Sequence, residues 1–573
     1  MGLIGALNIG RSALGVNQAA LEVAGNNLAN AATEGYTRQS AVLAPVIGQE
    51  IAPGTFVGGG VRLLAVVRHT DEALLSRLRS AISDREAAGT LQDVLTQLES
   101  IQNELQDDGL SSRMSEFFNA WSQLANNPAD NALRTLVVNQ GASLGEFVNR
   151  LSVDLGVLRR HVDESIRGSG QQASTILEQI AELNARIVVA ERGQGGANGL
   201  RDQRDQLLDE LAEYVDISTI EQDSGGVDVF IGSTPVVLAG ASRGIRVEFT
   251  ANAAGDLEVA VRVDADGTLL RPRSGRIGQL IDARTNEIDS AVTAVSDFAG
   301  QLIHQTNLVH SQGQGDQFFS SLTGSVQVAD TTASLDAAAA ELAFPPSHGS
   351  FMLHVHQVST GAQFTAQIDV DMDAIGGPNM SLEDLRDAIN AEAAINGFMT
   401  ASITPQASLQ LDAVSSDFQF SFSDDSSGVL AGLGLNTFFV GEDASDIAVN
   451  QVVLDTPALL ATGLGHQPGD NRTALAMADL QDQAIAGLGG FSLREQWTRH
   501  IEDVGVRTSQ ASRQAEAEQI VLEGLEAQQQ AIGGVSIDDE SISLLGFQRS
   551  FQGSARFISV VDEMMTTLLG LVQ

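Results

Sequence analysis

The chain has 573 residues, with 32 basic against 73 acidic side chains and a formal net charge of -41. This charge argues against a nucleic-acid partner, because phosphate binding requires clustered positive charge. The basic residues are all arginine, so lysine is absent, and cysteine is absent as well. The absence of lysine excludes a P-loop lysine and Schiff-base chemistry. The absence of cysteine excludes thiol catalysis, disulfides and cysteine metal sites. The length accommodates about three or four domains.

The first predicted element is a helix within residues 1–40 that ends at the turn around Gly35. Leucines recur along it every seven residues, and a small residue follows three positions after each leucine. Such a pattern predicts packing against a partner helix that approaches closely. The leucines are Leu7, Leu14, Leu21 and Leu28, and the small residues are Gly10, Asn17, Ala24 and Ala31.

After an extended segment at 41–70 with brief strands, helical periodicity predicts a helical layer. This layer is predicted to comprise residues 71–215 with 272–315 and 470–534. Its helices are predicted at 112–125, 131–167, 170–191, 202–214 and 278–310. Alternating valines and isoleucines between Gly-rich turns predict a small β insertion at 216–271.

Residues 316–469 are predicted to form an acidic outer domain of the α+β type. Strands are expected at 351–358, 364–371, 399–411 and 417–423. Ser381 and Asp384 form a capping pattern that predicts a helix start. Residues 316–470 contain twenty acids and a single base, Arg386, which favours a solvent-facing position. The flanking helices are assigned to one layer, so we expect the two ends of the insertion to lie close together.

The last element is a helix with a second heptad row. Its apolar members are Leu544, Phe547, Phe551, Ile558, Val561, Met565 and Leu568. We expect residues 1–70 and 535–573 to form one domain in which the two terminal helices pair as a coiled coil. The fold class is thus mainly α with β-rich insertions, multidomain, although such rows are also common in the core of ordinary helical bundles.

Both ends carry sequence signatures. The letters N-N-L-A-N at residues 26–30 and T-x-G-Y-T-R-Q at 33–39 resemble the amino-terminal signature of the bacterial flagellar rod, hook and hook-associated proteins. The segment G-V-S-I-D-D-E at 534–540 is similar to the carboxy-terminal signature of the same family. Glu34 and Ser536 depart from the commoner proline or alanine and asparagine. The signature residues are Asn26, Asn27, Asn30, Thr33, Gly35, Tyr36, Arg38 and Gln39.

Interior segments at 110–151, 200–207 and 274–280 resemble the hook-associated branch of this family. The resemblance implies a structural subunit that polymerises through its paired terminal helices at the junction of hook and filament. It implies self-assembly and contacts with the hook protein and a second hook-associated junction protein. It also implies a cytoplasmic export chaperone that covers the C-terminal helix.

The resemblance further implies a place outside the cell in the bacterial flagellum, reached through the flagellar export apparatus without a cleaved signal peptide. Composition alone would favour the cytoplasm, since the chain shows no secretory signal pattern. Neither a membrane nor nucleic acid is expected as a partner.

Three alternatives remain open at this stage. A hook protein with an enlarged outer domain would be mostly β between its terminal helices, whereas residues 71–214 have helical periodicity. A secreted surface protein with a coiled stalk would need an export signal or an anchor. A hydrolase would rest on G-x-S-x-G at 141–145 and 240–244, but neither has the strand before and the helix after that a nucleophile elbow requires.

Two sets of residues could in principle bind a metal. Asp369, Asp371 and Asp373 imitate the start of a calcium loop, but Ala374 replaces its turn glycine and Met380 its bidentate glutamate. His348, His354 and His356 could supply imidazoles, but no carboxylate follows them at ligand spacing. We therefore predict no metal, no cofactor and no catalytic residue.

Overall fold

The computed structural model describes residues 2–52, 55–102, 109–191, 196–251, 257–375, 377–465, 467 and 469–572. Within them the α-helices are α1 Gly2–Ala29, α2 Glu72–Gln102, α3 Leu110–Asn126, α4 Asn131–Glu191, α5 Asn198–Tyr214, α6 Gly275–Ala283, α7 Asp289–Ser311, α8 Leu382–Ala391, α9 Val429–Gly432, α10 Gln451–Asp455, α11 Arg472–Asp479, α12 Leu493–Gly533 and α13 Ile537–Val572. One π-helical turn, Arg284–Ile288, lies between α6 and α7.

The strands are short and pair in small antiparallel sheets. They are β1 Gln39–Pro45, β2 Gln49–Ala52, β3 Thr55–Val57, β4 Val61–Arg68, β5 Ile217–Glu221, β6 Val227–Ile231, β7 Thr234–Leu238, β8 Ala241–Ser242, β9 Ile245–Ala251, β10 Leu257–Val263, β11 Leu269–Leu270, β12 Ser321–Thr323, β13 Gly349–Gln357, β14 Gln363–Val370, β15 Met399–Ile403, β16 Leu409–Ala413, β17 Phe418–Ser423, β18 Phe439–Val440 and β19 Ala448–Val449. The sheet orders are β1-β4, β2-β3, β5-β6-β7-β8, β9-β10-β11, β12-β16-β15, β14-β13-β17 and β18-β19.

The predicted fold class is confirmed: the described chain is mainly helical, with β-rich insertions. The described residues between 72 and 214 lie mostly in α2 to α5, as the helical periodicity indicates. The helices predicted at 131–167 and 170–191 are one continuous helix, α4, which includes Gly168 and Gly170. The predicted strand 399–411 is a hairpin of β15 and β16. Ser381 and Asp384 form the predicted capping box of α8.

The chain forms two compact units. Unit 1 comprises Met1–Val94, His161–Arg284 and Ser509–Gln573, and unit 2 comprises Leu95–Arg160 and Thr285–Thr508. The predicted helical layer contributes residues to both units. The four predicted domains therefore do not coincide with the two units, and their limits remain a prediction.

The main core of unit 1 lies between helices and the small β insertion. Apolar residues of α4 and α5 pack against the sheets β5-β6-β7-β8 and β9-β10-β11. A smaller cluster joins α2 to α12 through Leu74, Leu78, Leu522 and Leu525. Val227, Val229 and Ile231 alternate along β6 and are all buried in this core, as their spacing in the sequence indicates.

Unit 2 contains two apolar clusters of different composition. The first lies within the acidic segment, where β13, β14, β17 and α8 bury mostly aliphatic and phenylalanine side chains. The second is aromatic: Phe117 and Trp121 of α3 pack against Phe438 and Phe439. The second cluster thus joins a predicted layer helix to a part of the acidic segment.

The contacts of the acidic segment refine its predicted limits. Its ends do meet, since the Gln314 amide donates to the Gly463 carbonyl at 2.7 Å. However, the side-chain amide of Asn436 donates to the carbonyls of Ser311 and Gly313, at 3.0 Å each, and so caps the end of α7. Residues 436–462 accordingly pack with the helices, and we propose 317–434 as the separable outer lobe.

Candidate assembly surface of the terminal helices

The two terminal helices, α1 and α13, lie antiparallel against each other within unit 1. Gly10 lies so close to α13 that a Cβ atom there would be 2.7 Å from Ile558. Asn17 donates a long hydrogen bond of 3.4 Å to the Ser554 hydroxyl. Small side chains at this row allow the close approach, and the approaching helix is α13 of the same chain.

The predicted packing residues differ in burial. Val561 is buried, whereas Leu28 and Leu568 are exposed. The other members are half-buried: Leu7, Leu14, Leu21, Leu544, Phe547, Phe551, Ile558 and Met565. The most deeply buried residues of α1 are instead Gly10, Val16, Ala20, Ala24 and Asn27. A role of the two heptad rows in packing between subunits stays a prediction, since these contacts are made within one chain.

A second apolar row on α13 lies exposed. We call it the outer row; it consists of Ile542, Leu545, Phe557, Val560, Met564 and Leu568. Its positions follow the helical spacing of three or four residues, with Arg549 and Gly553 between the two groups. Leu545 and Val560 are each 52% exposed. Ile4 of α1 is also exposed, so the helix pair leaves apolar surface uncovered on both helices.

The amino-terminal signature folds the chain after α1. The buried side chain of Asn27 donates to the Gln39 carbonyl at 2.8 Å and accepts from the Gln39 amide at 3.0 Å. These two hydrogen bonds pair the backbone of Gln39, at the start of β1, as a neighbouring strand would. The Tyr36 hydroxyl lies 2.8 Å from Oδ1 of Asn27 and 3.0 Å from Oδ1 of Asn26. Asn30 donates to Asn26 and accepts from the Thr33 hydroxyl, which completes the turn.

The same signature is joined to the start of α13. Arg38 Nε donates to Glu540 Oε1 at 2.7 Å, and the Arg38 amide donates to the Gly533 carbonyl at 2.8 Å. Glu540 is buried, so loss of Arg38 would leave a buried carboxylate without its ion-pair partner. Burial, with the nearby carboxylates of Asp202 and Glu540, raises the pKa of Tyr36 to about 12. The tyrosine is therefore neutral at physiological pH and keeps its proton for the asparagines.

A third segment, in α5, holds the signature from the other side. The Gln206 side chain donates to the Glu34 carbonyl at 2.7 Å. Gly35 has a φ of 72° and touches this side chain so closely that a Cβ atom would overlap it. Both requirements explain glycine at this position. Asn198 donates to the Gln39 side chain at 3.0 Å.

An ion-pair network continues from this segment. Arg68 at the end of β4 donates to Asp202 at 2.8 Å and to Asp205 at 2.7 Å. Arg79 of α2 donates to Asp205 at 3.2 Å and Asp209 at 2.8 Å. These pairs are well shielded from water, so they fix the geometry between β4, α2 and α5. The family signature thus holds the terminal helix pair on its unit.

Sequence reasoning missed two of these features. It followed one heptad row on the last helix and, apart from Leu568, overlooked the outer row, which a search at three- and four-residue spacing would have found. It also treated 200–207 as a resemblance without assigning contacts, and pairs between residues 126 or more positions apart give no local sequence signal. Arg38 and Gln39 are packing residues of the fold.

The two G-x-S-x-G motifs lie outside the strand–turn–helix setting that a nucleophile elbow requires. Ser143 is inside α4 and accepts a hydrogen bond from Arg113 at 2.7 Å. Ser242 ends the two-residue strand β8. Of the metal candidates, His354 and His356 contact serine hydroxyls. His348, in contrast, lies near Asp371 and Asp373, which are 23 and 25 positions away in the sequence.

Three family models match separate parts of the chain. Residues 95–319 match the flagellar hook-associated protein FlgK helical domain. Residues 7–37 match the flagella basal body rod protein, and residues 529–571 match the flagellar basal body rod FlgEFG protein C-terminal model. The end matches contain most of α1 and α13, and the interior match contains the segment that distinguishes the hook-associated branch.

Relatives extend the similarity over the whole length. The chain is 25% identical over 572 residues to flagellar hook-associated protein 1 of Bacillus subtilis, with 98% of this chain and 97% of that protein covered. It is also 25% identical over 592 residues to flagellar hook-associated protein 1 of Escherichia coli, with 99% of each covered. The chain is thus similar to flagellar hook-associated protein 1 over its whole length.

The fold of this chain agrees with a solved structure. The flagellar hook junction protein FlgK from Burkholderia pseudomallei superposes with a TM-score of 0.50 at 15% sequence identity, covering 80% of this chain and 100% of that chain. As a member of the flagellar axial proteins, the chain is a structural component that assembles with itself and with hook and filament proteins. None of its described helices combines the length and the apolar character needed to cross a bilayer.

Proposed function

We propose that this hook-associated protein forms the junction between hook and filament by polymerising through the α1–α13 pair. One observation carries the mechanism: the pair leaves its outer row exposed while its other face is held to unit 1 by the signature. Covering an apolar side chain of this size gains about 1.5–3 kcal/mol. A ring of neighbouring subunits would cover the row and so gain stability from each copy.

Two charged substitutions on the outer row test this mechanism. Leu545→Glu with Val560→Glu should leave the free protein folded, because both side chains are already half in water. Assembly should fail, because each buried carboxylate would cost several kcal/mol in a subunit contact. Electron microscopy of the mutant strain should then show hooks without filaments, with flagellin lost to the medium.

The matched control is Val358→Glu with Val414→Glu, two exposed valines of the outer lobe. These changes add the same charge to the chain and should leave filaments intact. Normal filaments in the Leu545 and Val560 strain at equal expression would refute polymerisation through the outer row. Thermal unfolding of both purified variants checks that neither has lost its fold.

We infer specific binding partners from the exposed surface of α13. We propose that a cytoplasmic export chaperone covers α13 before export, since exposed apolar rows invite aggregation. A second hook-associated junction protein would meet the ring at its filament side. Passage through the flagellar export apparatus without a cleaved signal would bring the subunit to the outside of the cell. The role is structural, and we propose no catalytic residue.

The face of α13 that the chaperone binds can be measured. Phe551→Asp with Ile558→Asp changes the half-buried row, and Leu545→Glu with Val560→Glu changes the outer row. We expect the first pair to abolish co-purification with the chaperone, if α13 is bound separated from α1. Loss with the second pair alone would mean that the chaperone binds the intact helix pair. Wild-type yield with both pairs would place the chaperone elsewhere.

A further inference from the structure

His348, Asp371 and Asp373 form a cluster at one end of the β13-β14 hairpin in the outer lobe. Their imidazole and carboxylate atoms all lie within 4.8 Å of one another. The antiparallel register that pairs Gly349 with Val370 brings them together. The histidine directly precedes β13 and the aspartates directly follow β14. The three side chains therefore meet because of sheet pairing, although 22 or more positions separate the histidine from the aspartates.

The distances differ from those of ordinary hydrogen bonds. Nδ1 of His348 is 3.5 Å from Oδ1 of Asp371 and 3.7 Å from Oδ2 of Asp373, whereas a charge-assisted hydrogen bond is about 2.7–2.9 Å long. Nitrogen and oxygen ligands of a tetrahedral zinc ion at about 2.0–2.1 Å would lie about 3.3–3.5 Å apart. The two nitrogen–oxygen distances are thus close to those between ligands of one ion.

Backbone contacts orient the cluster. The Met372 amide donates a long hydrogen bond of 3.3 Å to Nδ1 of His348. Because Nδ1 has one lone pair, a metal ion bound there would replace this hydrogen bond. Oδ1 of Asp373 accepts from the Ile375 amide at 2.8 Å, and this bond turns Oδ2 toward the histidine. Asp371 Oδ1 accepts a weak bond of 3.4 Å from the Asp373 amide.

The surrounding charge also favours a cation. Residues 316–470 contain twenty acids and one base, Arg386, and Arg386 pairs with its neighbour Asp387 at 2.7 Å. The two carboxylates beside His348 therefore repel each other, and the segment's sole arginine is paired elsewhere. A divalent ion would offset this repulsion.

We propose that His348, Asp371 and Asp373 bind a borderline divalent transition metal of the Zn²⁺ or Co²⁺ type. One nitrogen and two carboxylate oxygens suit such ions, whereas Ca²⁺ and Mg²⁺ take oxygen ligands. The side chains are 34–55% exposed, so bound waters complete the coordination. The ion ties the start of β13 to the loop after β14. This site is independent of the proposed assembly surface.

Titration of the full-length protein with ZnCl₂ by isothermal calorimetry tests the site, with Co²⁺ absorption as a second readout of coordination. We expect one Zn²⁺ per chain above the background of other histidines. The variants His348→Ala and Asp371→Asn with Asp373→Asn should each weaken this binding at least about tenfold. Because all three side chains are partly exposed, the variants should unfold at the wild-type temperature without metal.

Two controls separate this site from general attraction to an acidic surface. Asp369→Asn removes a carboxylate from the same strand but outside the cluster, and His161→Ala removes an exposed histidine from α4. Both should bind Zn²⁺ as the wild type does. Equal binding by the cluster variants, or equal losses in the controls, would overturn the proposal. Tighter binding of Ca²⁺ that His348→Ala leaves unchanged would also overturn it.

Discussion

The terminal helix pair and the outer lobe solve the problem of burying apolar surface in opposite ways. In the described part of α13, Val561 is the buried apolar side chain, while six residues of its outer row are exposed. The outer lobe, although strongly acidic, buries a continuous core that includes Phe351, Phe420 and Phe422. The lobe is thus complete within one chain, and the helix pair is not.

This difference indicates where neighbouring subunits contribute. A two-helix pair that lacks a covered outer face is only marginally stable alone, since helices gain most of their stability from packing. A lobe with its own core needs no neighbour, and its negative charge keeps it soluble. The comparison can be tested by changes to each region.

The largest effect should come from the choice of deletion limits. Removing residues 317–434 and joining the ends with a short Gly/Ser linker should leave unit 2 folded, since the Asn436 side chain already contacts the Gly313 carbonyl. Removing 316–470 also takes away Phe438 and Phe439. Each lost phenylalanine contact costs about 3–5 kcal/mol, and together they approach the whole stability of a domain.

Circular dichroism and tryptophan fluorescence of the two purified deletion proteins measure this difference. Both tryptophans, Trp121 and Trp497, lie in unit 2 and are fully buried, so their emission reports on this unit. In strains, the shorter deletion should retain filaments and some swimming. Equal folding of both deletion proteins would show that residues 436–470 belong to the lobe.

A smaller effect should follow acidification, through His310 in the aromatic cluster. Its Nδ1 donates to the Asn436 carbonyl at 2.8 Å, and its Nε2 accepts from the Ala461 amide at 3.1 Å. Burial lowers the pKa of His310 from 6.5 to about 4. Protonation would place a second donor against the Ala461 amide, so the neutral ring is the one that fits.

Because the folded pKa lies below the unfolded value, this contribution is complete above pH 6.5 and is lost as the pH falls toward 4. The loss is up to about 3 kcal/mol at the acid end. Urea unfolding followed by tryptophan emission between pH 7 and 4.5 should show a flatter dependence in His310→Gln than in the wild type. Parallel curves for the two proteins would refute the assignment. His310 lies in unit 2, whereas the terminal helices contain no histidine.

The smallest effect concerns two glycines of α1. Gly10→Val should push α1 away from Ile558 and cost about 1–3 kcal/mol of local stability. Gly15→Val is the matched control, because a Cβ atom at Gly15 has no neighbour within 4 Å. Hydrogen exchange in α13 of the monomer should be faster in the Gly10 variant alone. Equal exchange rates in both variants would mean that α1 and α13 are already separated in solution.

Much of the secondary structure could be predicted because its signals are local. The heptad rows predicted both terminal helices, and Ser381 with Asp384 predicted the start of α8. Alternating valines predicted the β insertion. The predicted limits of the acidic domain differ from the observed contacts. Asn436 and Phe438 belong to the acidic segment by sequence, but they pack against α7 and α3. The change in composition marks where the chain leaves the helices, and it does not show which of the following residues pack back against them.

The candidate assembly surface was predicted in part for the same reason. Seven-residue spacing identified Val561 and its row, yet the row that stays exposed is the neighbouring one. Periodicity shows which residues share a helix face, but it does not show which of two apolar faces the rest of the chain covers. That choice depends on where α1 lies.

The sequence by itself determined the helical and β-rich segments, the charge of the lobe and the family signatures at both ends. These properties depend on residues near one another in the chain. Tertiary structure alone decided that Arg38 reaches Glu540, that Gly10 lies against Ile558, and that His348 meets two aspartates across a hairpin. Each of these contacts joins residues that are distant in sequence, and chain folding brings them together through packing and strand register. No local pattern encodes such distances.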